Sequence, residues 1–162
     1  TKYTAVDGTP ELKKAGSTLV YIKFSNKVRL GGSVYQREQG KMGGETPNLD
    51  LNGLAALSNT WDVIQEMIYE NNILSLHDVS DGGLITTICE MAIAGNLGVN
   101  MFIKQKEQNI NNYLFNEEAG IVIEVRQPNL YKLSNELRKY KIDHVTIGST
   151  KQSKDITIKI LI

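Results

Sequence analysis

Short apolar stretches recur along the chain, with the length and residue types of β-strands, and each of them predicts a β-strand. In residues 18–24, apolar side chains fall on both sides of the strand, so both of its faces can be covered by other elements. The two sets are Val20, Ile22 and Phe24 on one face and Leu19 and Tyr21 on the other. Further strands are predicted at residues 73–76, 99–103, 120–126, 144–147 and 156–162.

Other stretches carry apolar residues every three or four positions, which is the spacing of one face of an α-helix. The longest is 50–71, where one stripe is expected to pack on a sheet: Leu54, Leu57, Trp61, Ile64 and Ile68. Two more helices follow on the apolar positions Leu84, Ile85, Ile88, Met91 and Ala92, and Leu130, Leu133, Leu137 and Tyr140; shorter ones are expected at 34–39 and 111–116. Because strands and helices interleave, the sequence predicts an α/β (α+β) fold, a mixed β-sheet sandwiched by helices, in a single domain of residues 1–162.

Composition narrows the range of partners. Lysine plus arginine and aspartate plus glutamate number 18 each, so no net charge draws the chain toward nucleic acid or a membrane. Apolar runs are far shorter than the roughly 20 residues that span a bilayer, and no signal-peptide pattern opens the chain. The only cysteine, Cys89, lies in an apolar helical pattern, which is typical of a structural thiol in a reducing cytoplasm. The chain begins at Thr1 without methionine and ends within a strand pattern, so we expect it to be a piece of a larger cytoplasmic protein.

The strongest candidate site is the segment from His77 to Gly83, where a strand is followed by a short polar turn and then a helix. Such a turn presents backbone N–H groups to an anion such as phosphate. Asp78 and Asp81 add the hard oxygen ligands that magnesium prefers, and Ser80 adds a hydroxyl. The alternative is a helix cap at Ser80 or Asp81 with glycines that only permit a tight turn.

Two further clusters are weaker. Gly31, Gly32 and Ser33 precede a short helix, where backbone donors suit a phosphate, although an ordinary helix cap is the simpler interpretation. Glu117 and Glu118 lie between a helix and a strand, where adjacent carboxylates are usually solvated or cap a helix, and we expect them to be surface residues rather than ligands of a metal or substrate. No P-loop, zinc cluster or nucleophile elbow is present in the sequence, so no complete catalytic set is visible.

Taken together, several motifs resemble one family, formylglycinamidine ribonucleotide synthase, in the same order and spacing from about Thr9 to Gly148. The motifs are Leu30-Gly31-Gly32-Ser33, the Gly43-Gly44 loop, His77-Asp78-Val79-Ser80-Asp81-Gly82-Gly83-Leu84, Glu90-Met91-Ala92 and Leu114-Phe115-Asn116-Glu117-Glu118. The chain resembles a B domain of this family, like the C-terminal domain of aminoimidazole ribonucleotide synthetase, and its motifs look like the second of two copies.

The resemblance implies a role in de novo purine biosynthesis. The parent ligase would convert formylglycinamide ribonucleotide, glutamine and ATP to formylglycinamidine ribonucleotide, ADP, phosphate and glutamate. Its nucleotide-binding A domains and glutaminase would be the partners of this chain, which by itself would be inactive. The implied contacts are Asp78 with Mg²⁺, Ser80, Asp81, Gly82 and Gly83 with ATP or ADP, and Gly31, Gly32 and Ser33 with the phosphate of the ribonucleotide substrate; no catalytic residue is assigned.

Two other functions stay open on the sequence alone. The chain can be the B domain of a related enzyme, such as aminoimidazole ribonucleotide synthetase or selenophosphate synthetase, although the stretch from Phe115 to Glu118 argues against both. It can also be a non-catalytic scaffold or nucleotide-binding module.

Overall fold

The computed structural model describes residues 8–104 and 109–161 of the chain. Six strands and five α-helices alternate there, with one 3-10 turn at Gln127–Asn129. The predicted last strand residue, Ile162, and residues 1–7 and 105–108 lie outside the described part. The elements are β1 Thr18–Lys23, α1 Val34–Glu38, α2 Leu51–Tyr69, β2 Ile73–Asp78, α3 Gly83–Gly95, β3 Gly98–Lys104, α4 Ile110–Phe115, β4 Gly120–Val125, α5 Leu130–Lys139, β5 His144–Lys151 and β6 Ile156–Leu161.

The six strands form one mixed sheet in the order β2-β4-β1-β5-β3-β6. All neighbouring pairs are antiparallel except β3 and β6, which are parallel. The two middle strands are β1 and β5, and β1 is hydrogen-bonded along both of its edges, to β4 and to β5.

Helices cover both faces of this sheet and create two apolar cores. On one face, α3 and α4 pack on Leu19, Tyr21 and their neighbours. On the other face, α2 and α5 pack on Val20, Ile22 and theirs. The predicted mixed sheet between helices is therefore confirmed. Within the described ranges, no helix is long and apolar enough to cross a membrane.

The predicted apolar stripe of α2 was partly wrong. Leu54 and Trp61 are 49% and 47% exposed, whereas the predicted Ile64 is fully buried. The helix also buries residues outside the predicted stripe: Gly53, Thr60, Val63 and Met67. Gly53 explains the rotation, because a Cβ at this position would lie 2.6 Å from the Phe24 carbonyl oxygen. The first turn of α2 thus packs closely on the end of β1, and this contact selects a face that apolar periodicity alone does not identify.

A buried carboxylate fastens the start of the described chain to the sheet. Glu124 on β4 is fully buried and accepts hydrogen bonds from the N–H groups of Lys13 and Lys14, at 2.8 and 3.1 Å. The hydroxyls of Ser17 and Ser75 also donate to it. Four donors replace the water that this carboxylate loses on burial, which is how a charge is tolerated without a paired cation.

Candidate functional site

The candidate residues meet at one end of the sheet. Lys23, the last residue of β1, is paired with Gly120, and Asp78, the last residue of β2, is paired with Ile121. Because β4 is antiparallel to both strands, β1 and β2 end where β4 begins. The loops after β1 and β2 and the turn before β4 are therefore neighbours, although they are far apart in the sequence.

The turn after β2 is compact and open to solvent. The Gly83 N–H donates to the Ser80 carbonyl at 3.0 Å, which closes the turn directly before α3. Ser80 and Asp81 are exposed, and the side chain of Asp78 is 75% exposed. The N-cap residue of α3 is Gly82, and neither Ser80 nor Asp81 supplies a side-chain cap, so the interpretation of Ser80 or Asp81 as a helix cap is wrong. The N–H groups of Ser80 and Asp81 make no hydrogen bond within the described part of the chain and can meet a ligand.

Glu117 joins this turn to the loop after β1. Its Oε1 atom accepts a hydrogen bond from the Gly82 N–H and another from the Val34 N–H, each at 2.9 Å. Val34 is the first residue of α1 and directly follows the Gly31–Gly32–Ser33 turn. One carboxylate oxygen therefore links the two candidate phosphate-binding turns.

Its neighbour Glu118 makes a buried ion pair. The carboxylate oxygens lie 2.6 Å from Nε and 2.7 Å from Nη2 of Arg29, and the two side chains are only 3% and 12% exposed. This bond to Glu118 raises the pKa of the Arg29 guanidinium above its ordinary value. The expectation that Glu117 and Glu118 are solvated surface residues was wrong, because the fold turns both carboxylates inward onto donors from the loop after β1.

Most polar groups of the turn after β1 already form hydrogen bonds to other residues of the chain. The Gly31 N–H donates to the Glu45 carbonyl, and the Ser33 N–H donates to the Leu30 carbonyl. The buried Ser33 hydroxyl accepts from the Gln36 N–H and caps α1. Gly32 is the exposed member, with φ at +78°, and only a methyl group of Thr46 would approach a Cβ there.

A pocket of about 380 Å³ opens beside this turn. Its lining includes Gly32, Ser33 and two cationic residues, Arg37 and Lys41. Gly43, whose φ is +95°, also lines it. The shape and charge suit a small anion that approaches the Gly32 backbone.

The site fits a metal only in part. Among the described residues, no group of three or more histidine, cysteine, aspartate or glutamate side chains is placed to hold a metal ion. The Asp78 carboxylate can supply one exposed oxygen ligand. Its Oδ1 is 3.3 Å from Nδ1 of His77, whose Nε2 is 3.3 Å from Glu90. A magnesium ion at Asp78 would therefore need most of its ligands from a nucleotide, water or other parts of a larger protein.

Some residues that border the site could not be identified from the sequence. Val34, Arg37 and Lys41 carry no recognisable motif, and only the three-dimensional contacts show that they border the site. Cys89 is half-buried on α3, and burial raises the pKa of its thiol, which agrees with the structural role expected for it.

Comparison with known proteins identifies related sequences. A family model described as "AIR synthase related protein, C-terminal domain" matches residues 14–160. A probable phosphoribosylformylglycinamidine synthase of Arabidopsis thaliana, named as chloroplastic/mitochondrial, is 36% identical over 94% of this chain. The Homo sapiens phosphoribosylformylglycinamidine synthase is 33% identical over 88% of it. The chain spans 11% of the length of each of these relatives.

Solved structures show the same fold at lower sequence identity. Thermotoga maritima PurL complexed with ATP matches 94% of this chain with a TM-score of 0.72 and 12% identity, and the match covers 24% of that chain. The hydrogenase maturation protein HypE matches 94% of this chain with a TM-score of 0.59 and 16% identity, over 52% of its own length. At these identities the likeness shows the fold alone.

Proposed function

Because the chain belongs to the family of AIR synthase related protein C-terminal domains, we propose that it is one B domain of a phosphoribosylformylglycinamidine synthase. Relatives with this name are 33–39% identical to most of the chain, which supports a role in purine biosynthesis. The motifs around Ser80 and Glu117 favour the second of the two B copies. The parent would be an ATP-dependent ligase that converts formylglycinamide ribonucleotide to formylglycinamidine ribonucleotide with ammonia from glutamine.

The role of this domain is to form one wall of a nucleotide site. The observation that carries the proposal is the Ser80–Gly83 turn, in which Ser80 and Asp81 are exposed at the start of the 13-residue helix α3. Free backbone N–H groups and the positive end of a helix stabilise phosphate oxygens at such a place. Asp78, exposed beside the turn, supplies one oxygen to the magnesium ion that accompanies ATP or ADP. Thermotoga maritima PurL, which has this fold, was solved with ATP and with ADP.

The ribonucleotide phosphate would bind in the pocket beside Gly32. The N–H groups of Gly31 and Ser33 already have internal partners, so these two residues shape the turn rather than donate to the ligand. Gly32 lets the phosphate approach the backbone, while Arg37 and Lys41 supply the positive charge. Thermotoga maritima PurL was also solved in complex with FGAR.

The chemistry itself needs more than this chain. Magnesium, once bound with the nucleotide, neutralises charge that develops on the transferred phosphoryl group. The residues of this chain would bind and orient phosphates from one side, and the nucleotide-binding A domains of the parent would close the other side. The glutaminase that supplies ammonia is also a separate part of the parent.

Two variants of the intact parent enzyme test this proposal. Asp78→Asn removes the metal-binding charge and should weaken binding of magnesium ADP at least tenfold, measured by calorimetry. Gly32→Val places two methyl groups in the path of the phosphate and should raise the KM for the ribonucleotide more than tenfold, or about 1.4 kcal/mol of binding, with little change in nucleotide affinity.

Gly16→Val is the matched control for the second variant. Gly16 has φ at +82° and no atom within 4 Å of the position that a Cβ would occupy, like the open position of Gly32, but it lies before β1 at the other end of the strand. It should carry the same backbone strain without any effect on substrate affinity. Unchanged magnesium ADP binding by Asp78→Asn, or equal KM values for the two valine variants, would refute the assigned contacts.

A further inference from the structure

We propose that Glu117 is a positioning residue that holds the nucleotide turn and the substrate turn at a fixed separation. The inference rests on the proposed function of those two turns. Its basis is the single Glu117 oxygen that accepts from both the Gly82 N–H and the Val34 N–H at 2.9 Å. In this role Glu117 does not contact a phosphate or a metal; it acts through its hydrogen bonds to the backbone of the two turns.

The backbone around Glu117 is fixed on both of its sides. On one side, the amide of Asn116 donates to the carbonyls of Asn112 and Tyr113, and its oxygen accepts from the Glu118 N–H. On the other side, Glu118 is held by the guanidinium of Arg29. Glu117 therefore projects from a rigid turn, and the loss of conformational entropy that its two hydrogen bonds require is small.

The packing of α3 adds a third constraint. A Cβ on Gly83 would lie 2.6 Å from the Asn116 carbonyl oxygen and 2.7 Å from the Phe115 carbonyl carbon. The first residue of α3 thus rests directly on the chain that leads to Glu117. The nucleotide turn is attached to the turn before β4 by packing, and Glu117 extends that attachment to the start of α1.

The consequence concerns geometry between two ligands. Phosphoryl transfer from a nucleotide to a second substrate depends on the relative placement of the reacting groups, and an error of about 1 Å is costly. Without Glu117, the Gly82 and Val34 N–H groups would bond to water, and the separation of the exposed residues Ser80 and Gly32 would be held only by the more distant contacts of Gly83 and Arg29. Loss of Glu117 should therefore affect both ligands at once, unlike loss of a residue that contacts only one.

The test uses the intact parent enzyme and three substitutions at this position. Glu117→Gln keeps an oxygen that can accept both hydrogen bonds, Glu117→Ala removes it, and Glu117→Asp keeps the charge on a side chain that is one methylene too short to reach both donors. We expect the alanine and aspartate variants to raise both the Kd for magnesium ADP and the KM for the ribonucleotide more than tenfold. The glutamine variant should stay within threefold of the unmodified enzyme for both.

The exposed Glu66 on α2 provides the control, because Glu66→Ala removes the same charge away from this end of the sheet and should leave both constants unchanged.

The positioning role is refuted if the alanine and aspartate variants change the constant of only one ligand, or if the glutamine variant is as impaired as the alanine variant. Tighter binding by Glu117→Gln would also refute it, since Glu117 would then be an anion that competes with phosphate. If Asp78→Asn weakens magnesium ADP while Glu117→Ala has no effect, the proposed function stands and only the positioning role fails; if Asp78→Asn has no effect, the proposed function fails first.

Discussion

Replacement of Gly83 by alanine gives the sharpest test of how the nucleotide turn is built. The new Cβ would lie 2.6 Å from a backbone oxygen of Asn116, where no flexible side chain can move aside. Overpacking of this kind costs roughly 1–3 kcal/mol. The left-handed backbone, with φ at +74°, adds about 1–2 kcal/mol for a residue with a Cβ. The free energy of unfolding should therefore fall by roughly 2–5 kcal/mol.

The matched control is Gly16→Ala, which has the same positive φ but open space around the Cβ. It shares the backbone strain of Gly83→Ala. Both variants also gain about 0.4–1 kcal/mol of stability, because alanine lowers the conformational entropy of the unfolded chain. Urea denaturation of the 162-residue chain, followed by circular dichroism, measures both variants. We expect Gly83→Ala to be the less stable of the two by about 1–3 kcal/mol. Equal stabilities would show that the close approach of α3 to Asn116 is not a constraint on the fold, and the motif glycine would then need a ligand-based explanation.

Two more outcomes follow from contacts described above. Glu124→Gln should lower the free energy of unfolding by about 1–3 kcal/mol, because the amide nitrogen that replaces one oxygen leaves one backbone N–H, of Lys13 or Lys14, without an acceptor, while the serine hydroxyl on that side can turn to accept from the amide; an unchanged urea midpoint would contradict this. The 162-residue chain alone should form no amidine from ATP, ribonucleotide and ammonia, since one wall of the site supplies little preorganisation; turnover above a protein-free control would show that the chain is sufficient.

The sequence was most informative where local pattern decides the structure. Alternation over two faces predicted β1 as a strand covered on both sides, and the helical spacing of Leu84, Ile88 and Met91 predicted the buried face of α3. Order and spacing of elements then indicated a mixed sheet between helices. These features depend on residues within a few positions of each other, which is why a single sequence carries them.

Features that depend on distant contacts were missed. The buried face of α2 is determined by the close approach of Gly53 to Phe24, and this contact cannot be predicted from the spacing of apolar residues. The inward turn of Glu118 depends on Arg29, 89 residues earlier in the chain, so its burial cannot be read from the two adjacent acidic residues. The turn after β1 was recognised as a candidate, but the internal hydrogen bonds of Gly31 and Ser33 leave only Gly32 in the open position.

The central place of β1 in the sheet has a consequence for biosynthesis. Its two neighbours, β4 and β5, both come about a hundred or more residues later, as the hydrogen bond between Ser17 and Glu124 across 107 positions illustrates. A ribosome adds about 5–20 residues per second, so β1 waits on the order of 5–20 seconds for its first partner strand. During that time an apolar strand has two unpaired edges, which raises the risk of aggregation of the nascent domain until β4 emerges.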